Sequence, residues 1–125
     1  MQTVLLVGAG GFAGAIARYL LSDWTQSLFK GSAFPYGTLT VNILGCLAIG
    51  VLSGLVQSKG LLPVEIRTFL SIGLLGGFTT FSTFGNETFS LIRNGHVASA
   101  AGYVAVSVVV GVLAVWVGHM LSQAR

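Results

Sequence analysis

Charge is what this chain has least of. Its 125 residues include three acids and six lysines and arginines, so charged side chains make up 7%, where a soluble domain carries about 25%. Hydrophobic residues make up 54%, with mean hydropathy +0.88. Such a chain cannot cover a water-facing surface, which excludes a soluble protein and leaves an integral membrane protein. The basic residues are scattered and form no run, which excludes nucleic acid as a partner. The single cysteine, Cys46, excludes an intrachain disulfide and reads as a small packing residue. His, Cys, Asp and Glu nowhere cluster at metal-ligand spacing, and no Ser or Cys has a base in its own motif. An enzyme is therefore not expected. The start, MQTVLLVGAGG, lacks a basic stretch ahead of its apolar run and reads as a retained membrane helix, not a cleaved signal peptide.

What is present is four apolar segments, each near the ~20 residues needed to cross a bilayer. They span 3–21, 37–56, 64–89 and 97–121, and give one domain over 1–125: an all-α membrane protein of four transmembrane helices in the lipid bilayer. Pro63 with Glu65 makes a helix start, since proline suits the first turn and an acid suits the positive end. Glycine is abundant at 18 copies, and Gly10/Gly14, Gly50/Gly54 and Gly73/Gly77 form small-xxx-small pairs that let membrane helices approach closely.

The third segment carries GLLGGFTTFSTFGNET from Gly73 to Thr88. Paired glycines weaken a helix by roughly 1 kcal/mol each. The hydroxyls of Thr79, Thr80, Ser82 and Thr83 can bond the backbone groups that an interruption frees. The expectation is a helix broken near 76–83, at membrane depth, where membrane proteins build ion sites.

With four crossings, Lys59, Arg67 and Arg125 share one side, and Arg18, Lys30 and Arg93 the other. Three against three gives no preferred orientation. Insertion both ways, and pairing of opposite copies as an antiparallel homodimer, is the expectation that follows.

Polar residues inside apolar segments are the functional candidates. Thr38 and Asn42 lie four apart on one face of the second segment, and Ser99, Tyr103 and Ser107 form a row on the fourth, continued by Gly111. Both rows can be interhelical glue or the lining of a path. Arg18 either snorkels or draws an anion into a vestibule. Glu87, the only acid after the break, can pair, cap or titrate, with a structural role favoured. Rows of hydroxyl and amide donors, almost without carboxylates, lean toward an anion, and the edges of Phe81 and Phe84 are positive. Carbonyls freed at the break suit a cation such as sodium.

GGFAGAIARY (10–19), PYGTLTVNILG (35–45) and GLLGGFTTFSTFGNET (73–88) resemble the Fluc fluoride channels, also called CrcB, and the resemblance covers the whole chain. It implies passive export of fluoride through two pores of a dual-topology homodimer, lodged in both orientations in the cell inner membrane. It also implies a central structural sodium, not transported, held by the main-chain carbonyls of Gly76 and Thr79. By the same resemblance Phe81, Phe84 and Asn42 line the pore and Arg18 its vestibule. Ser82, Thr83, Tyr103 and Ser107 join the polar track, with Thr38 and Glu87 supporting it. One departure is Gly111, where some relatives carry a hydroxyl.

Two other readings stand beside this one. A small four-helix proton-coupled multidrug exporter needs an embedded acid in its first helix, and that segment has none before Asp23. A non-transporting membrane scaffold fits the glycine pairs but does not require the polar rows.

Overall fold

The computed structural model describes residues 1–60 and 62–124, and of Lys59 only the backbone. Arg125 and the Lys59 side chain, both counted in the charge balance, lie outside the described residues. The described chain is helical throughout its ordered elements: α1 (Gln2–Ser27), α2 (Tyr36–Lys59), α3 (Val64–Thr68), a π-helical stretch (Phe69–Leu74), α4 (Leu75–Phe78), α5 (Phe81–Arg93) and α6 (Val97–Gln123). Among the described residues, three helices are long and apolar enough to cross a membrane by length and composition: Gln2–Ser27, Tyr36–Ser58 and Val97–Gln123. The third segment is divided among α3 to α5.

α1 runs to Ser27, well past the Leu21 at which the apolar stretch ends. Ser22 and Asp23 add polarity but no stop signal, and the first helix breaker is Gly31, at φ +85°. The connection that follows is held down. The Gln26 side chain accepts from the Gly37 amide at 3.1 Å and donates to the Phe34 carbonyl at 3.2 Å, and the Phe29 and Tyr36 rings stack at 4.0 Å. α2 ends on Gly60, whose left-handed backbone lets its amide bond back to Val56. α3 starts behind Pro63 with Glu65 in its first turn.

Glycines set the packing. A Cβ on Gly10 would lie 2.7 Å from the Phe69 carbonyl oxygen, one on Gly77 2.6 Å from that of Gly11, and one on Gly14 would overlap the Leu74 carbonyl. α1 thus lies backbone to backbone on the π-helical stretch and α4. α2 and α6 pack along their lengths in the same manner, with Gly50 against the Val115 carbonyl, Gly54 against His119 and Ser122, and Gly118 against Leu47. α5 leans on α6 and α2, where Leu91, Ala100 and Tyr103 form a small core edged by Phe34, Leu39 and Phe84.

Candidate functional site

The break is two residues long. Thr79 (φ −84°, ψ 157°) and Thr80 (φ −149°, ψ 118°) are extended between the end of α4 and the start of α5. Their amides and hydroxyls, and the Thr80 carbonyl, are satisfied from three directions. The Thr79 amide and hydroxyl both donate to the Leu75 carbonyl, each at 3.0 Å. Thr80 caps α5: its Oγ1 accepts the Thr83 amide at 3.3 Å and pairs with the Thr83 hydroxyl at 2.9 Å. The Thr80 backbone turns to Asn42 of α2, whose Oδ1 accepts the Thr80 N–H at 2.9 Å and whose Nδ2 donates to the Thr80 carbonyl at 3.1 Å.

These bonds release two carbonyl oxygens from their helical partners. An unbroken helix would aim the Thr80 amide at Gly76 and the Thr83 amide at Thr79. Here those amides go to Asn42 and to the Thr80 hydroxyl. The oxygens of Gly76 and Thr79 are a hard, neutral donor pair of the kind that suits a small cation.

Two cavities meet at the break. One, of about 420 Å³, is bordered by Asn42, Gly76, Thr79 and Thr80, by Phe81 and Phe84, and across from them by Ser107 of α6. The other, of about 630 Å³, is more polar, with Arg18, Thr38, Thr83 and Glu87 on its walls. Thr80 borders both. In the polar cavity both Glu87 oxygens are engaged: Oε1 accepts from the Thr38 hydroxyl at 2.7 Å and Oε2 from the Tyr103 hydroxyl at 2.8 Å. Tyr103 is fully buried, meeting the Phe84 ring at 5.1 Å and the edge of Phe34 at 5.5 Å. Phe81 and Phe84 stand 5.7 Å apart, and Phe81 is 84% exposed on the single chain.

The structure therefore gathers most of the residues singled out in the sequence into two adjoining spaces. Two of the expected path residues border neither cavity: Ser82, which is exposed, and Tyr103, which is fully buried behind Glu87 and Phe84. Gly111 is buried, with ordinary contact distance (3.5 Å) between a Cβ there and the Cys46 sulfur. Cys46 borders the smaller cavity as well as packing. Thr80, read in the sequence only as a hydroxyl able to bond freed backbone and not as a site residue, is the residue on which both spaces and the Asn42 pairing converge. Its signal was the cap pattern, a threonine with Thr83 three residues on, ahead of an amphipathic run.

A family model described as "CrcB-like protein, Camphor Resistance (CrcB)" matches residues 5–119. Among curated proteins, the fluoride-specific ion channel FluC of Methylobacillus flagellatus is 46% identical over 121 residues, which is 97% of this chain and 94% of that protein. The protein of the same name from Chloroflexus aurantiacus is 47% identical over 123 residues, 98% of this chain and 97% of its own length. That from Geobacter metallireducens is 44% identical over 123 residues, 98% of each chain.

Proposed function

The chain belongs to the CrcB-like protein family, and on that footing we propose that it is a fluoride-specific ion channel, not an enzyme, that lets fluoride leave the cell down its gradient. The observation that carries the reading is the pair of cavities sharing Thr80 as a wall, lined by hydroxyl and amide donors, the cation Arg18 and two acids, Asp23 near Arg18 in sequence and Glu87 with donors on both oxygens.

Fluoride is small and holds water tightly, so a path must supply replacement donors or the barrier becomes prohibitive. Arg18 draws the anion into the polar cavity. Thr83 offers its hydroxyl there, while Thr38 and Tyr103 spend theirs in anchoring Glu87. Beyond Thr80, the spare N–H of Asn42, the Ser107 hydroxyl and the ring edges of Phe81 and Phe84 take over. Ser82, exposed on this chain, joins the path where a second chain covers it.

The working unit is an antiparallel homodimer in the inner membrane, inserted both ways, with two pores. The even charge balance and the exposed Phe81 ring support it. A structural sodium would be held by the Gly76 and Thr79 oxygens of both copies, and supporting this is the loss of helical partners at those two oxygens. When bound, the ion would offset the negative ends of those carbonyl dipoles. The exporter reading needs an acid free to carry protons, and Glu87 has donors on both oxygens.

The test is purified protein in liposomes loaded with fluoride, with efflux followed by an electrode. Fast efflux that persists without a proton gradient is expected. Efflux no faster than from protein-free vesicles would defeat the channel reading.

A further inference from the structure

Asn42 borders the smaller cavity, yet half of its hydrogen-bonding capacity, one donor and one acceptor site, is spent on one neighbour. It meets both the N–H and the C=O of Thr80. In extended backbone these two groups of one residue point the same way, as in the paired residues of an antiparallel ladder. In a helix they point in opposite directions along the axis. A single amide can hold both only if Thr80 is extended, as it is. Without that partner the Thr80 N–H has an alternative close by, the Gly76 carbonyl four residues back, and α4 would continue by one residue. The two bonds exclude one another. Whatever holds the Thr80 amide to Asn42 keeps the Gly76 oxygen free.

We infer that Asn42 is a positioning residue for the cation site at the break, acting through the Thr80 amide and apart from its donor role toward fluoride. The ion's identity as sodium rests on the channel reading above. The two ends of the amide do separate work. Oδ1 withholds the Thr80 N–H from Gly76, while Nδ2 keeps one N–H to spare for the cavity. Asn42→Asp retains the acceptor for the Thr80 amide and loses both Nδ2 donors, the one on the Thr80 carbonyl and the spare one. Asn42→Ala loses the acceptor and the donors.

The experiment is a sodium titration of the detergent-purified protein, with sodium replaced by choline, read as thermal unfolding through Trp24 and Trp116 fluorescence. Sodium is expected to raise the midpoint of the unmodified chain. Asn42→Ala is expected to need roughly 10- to 100-fold more sodium for half of that gain, the usual cost of losing an outer-shell partner. Asn42→Asp, which still accepts the Thr80 amide and adds a negative charge near the cation, is expected to need no more sodium than the unmodified chain while its fluoride efflux falls. Ser107→Ala, which borders the same cavity without a bond to the break, keeps the original half-point. Equal half-points for Asn42→Ala and the unmodified chain would overturn the inference and leave Asn42 an anion-path residue alone. An unmodified chain that conducts fluoride but gains nothing from sodium overturns the cation site and this inference, not the channel. A chain without efflux overturns the channel reading itself. Should Asn42→Ala fail to assemble, amide exchange in the unmodified chain decides: sodium is expected to slow exchange at Thr80, and unchanged exchange overturns the inference.

Discussion

Phe84 shows how much one side chain is asked to do. Its ring packs against Tyr103 and the small core on one side and borders the smaller cavity on the other. Phe81, one turn earlier, is held only by its neighbour ring and is otherwise bare. Isoleucine keeps the apolar bulk at either position and removes the positive ring edge. Phe81→Ile and Phe84→Ile are each expected to slow fluoride efflux by about tenfold, the rate equivalent of about 1.4 kcal/mol. Size-exclusion elution should not change. Unchanged efflux in both variants would remove the rings from the path. The candidates themselves were legible in sequence, because Asn42, Thr38 and Glu87 are polar groups in apolar surroundings. Their pairing was not. Asn42 and Thr80 lie 38 positions apart, and nothing local in either stretch records how α2 stands against the break. Thr79 and Thr80 also read alike, and only the backbone assigns one to the end of α4 and the other to the cap of α5.

Between elements, the glycines divide into those that touch backbone and those that do not. Gly50 and Gly111 face the same α2–α6 seam with opposite margins. A Cβ at Gly50 would overlap the Val115 carbonyl, which cannot rotate away, whereas one at Gly111 would rest against Cys46. Gly50→Ala is expected to cost about 1–3 kcal/mol by overpacking. Gly111→Ala should be neutral or gain up to about 1 kcal/mol from helix propensity. Thermal unfolding of the two variants side by side checks both. Comparable losses would mean that the helices approach differently. The paired glycines announced close approach in the sequence, and paired glycines with hydroxyls announced the interruption near 76–83. The π-helical stretch had no such herald. FLSIGL (69–74) reads as an ordinary apolar helix, and the widened turn belongs to its fit against α1.

Taken whole, the single chain leaves large apolar side chains bare along its helices, among them Phe12, Trp116 and Val112. Lipid would cover such surface, as would the second copy proposed above. Orientation was the one whole-molecule property that the sequence addressed through charge, and it did so by a tie. Reporters fused to the C-terminus, active on one side of the membrane or the other, are expected to give signal on both. Signal on one side only would defeat the antiparallel dimer while leaving the fold untouched.

The two extended residues at the break have a geometric consequence. In an unbroken helix Gly73, Gly77, Phe81 and Phe84 would share one face, at spacings of four, four and three. Both rings would then be pressed into the glycine seam against α1, where even a methyl group does not fit beside Gly77. Two residues at about 3.3 Å each, in place of about 1.5 Å, lengthen the path and reset the helical phase. Upstream of the reset, the face reads as contact with α1. Downstream, the same periodicity turns toward α6, α2 and open space. Thr79 and Thr80 thus act as a phase shifter, letting one continuous apolar repeat serve two different audiences. Adding or deleting a residue there would misdirect every side chain that follows.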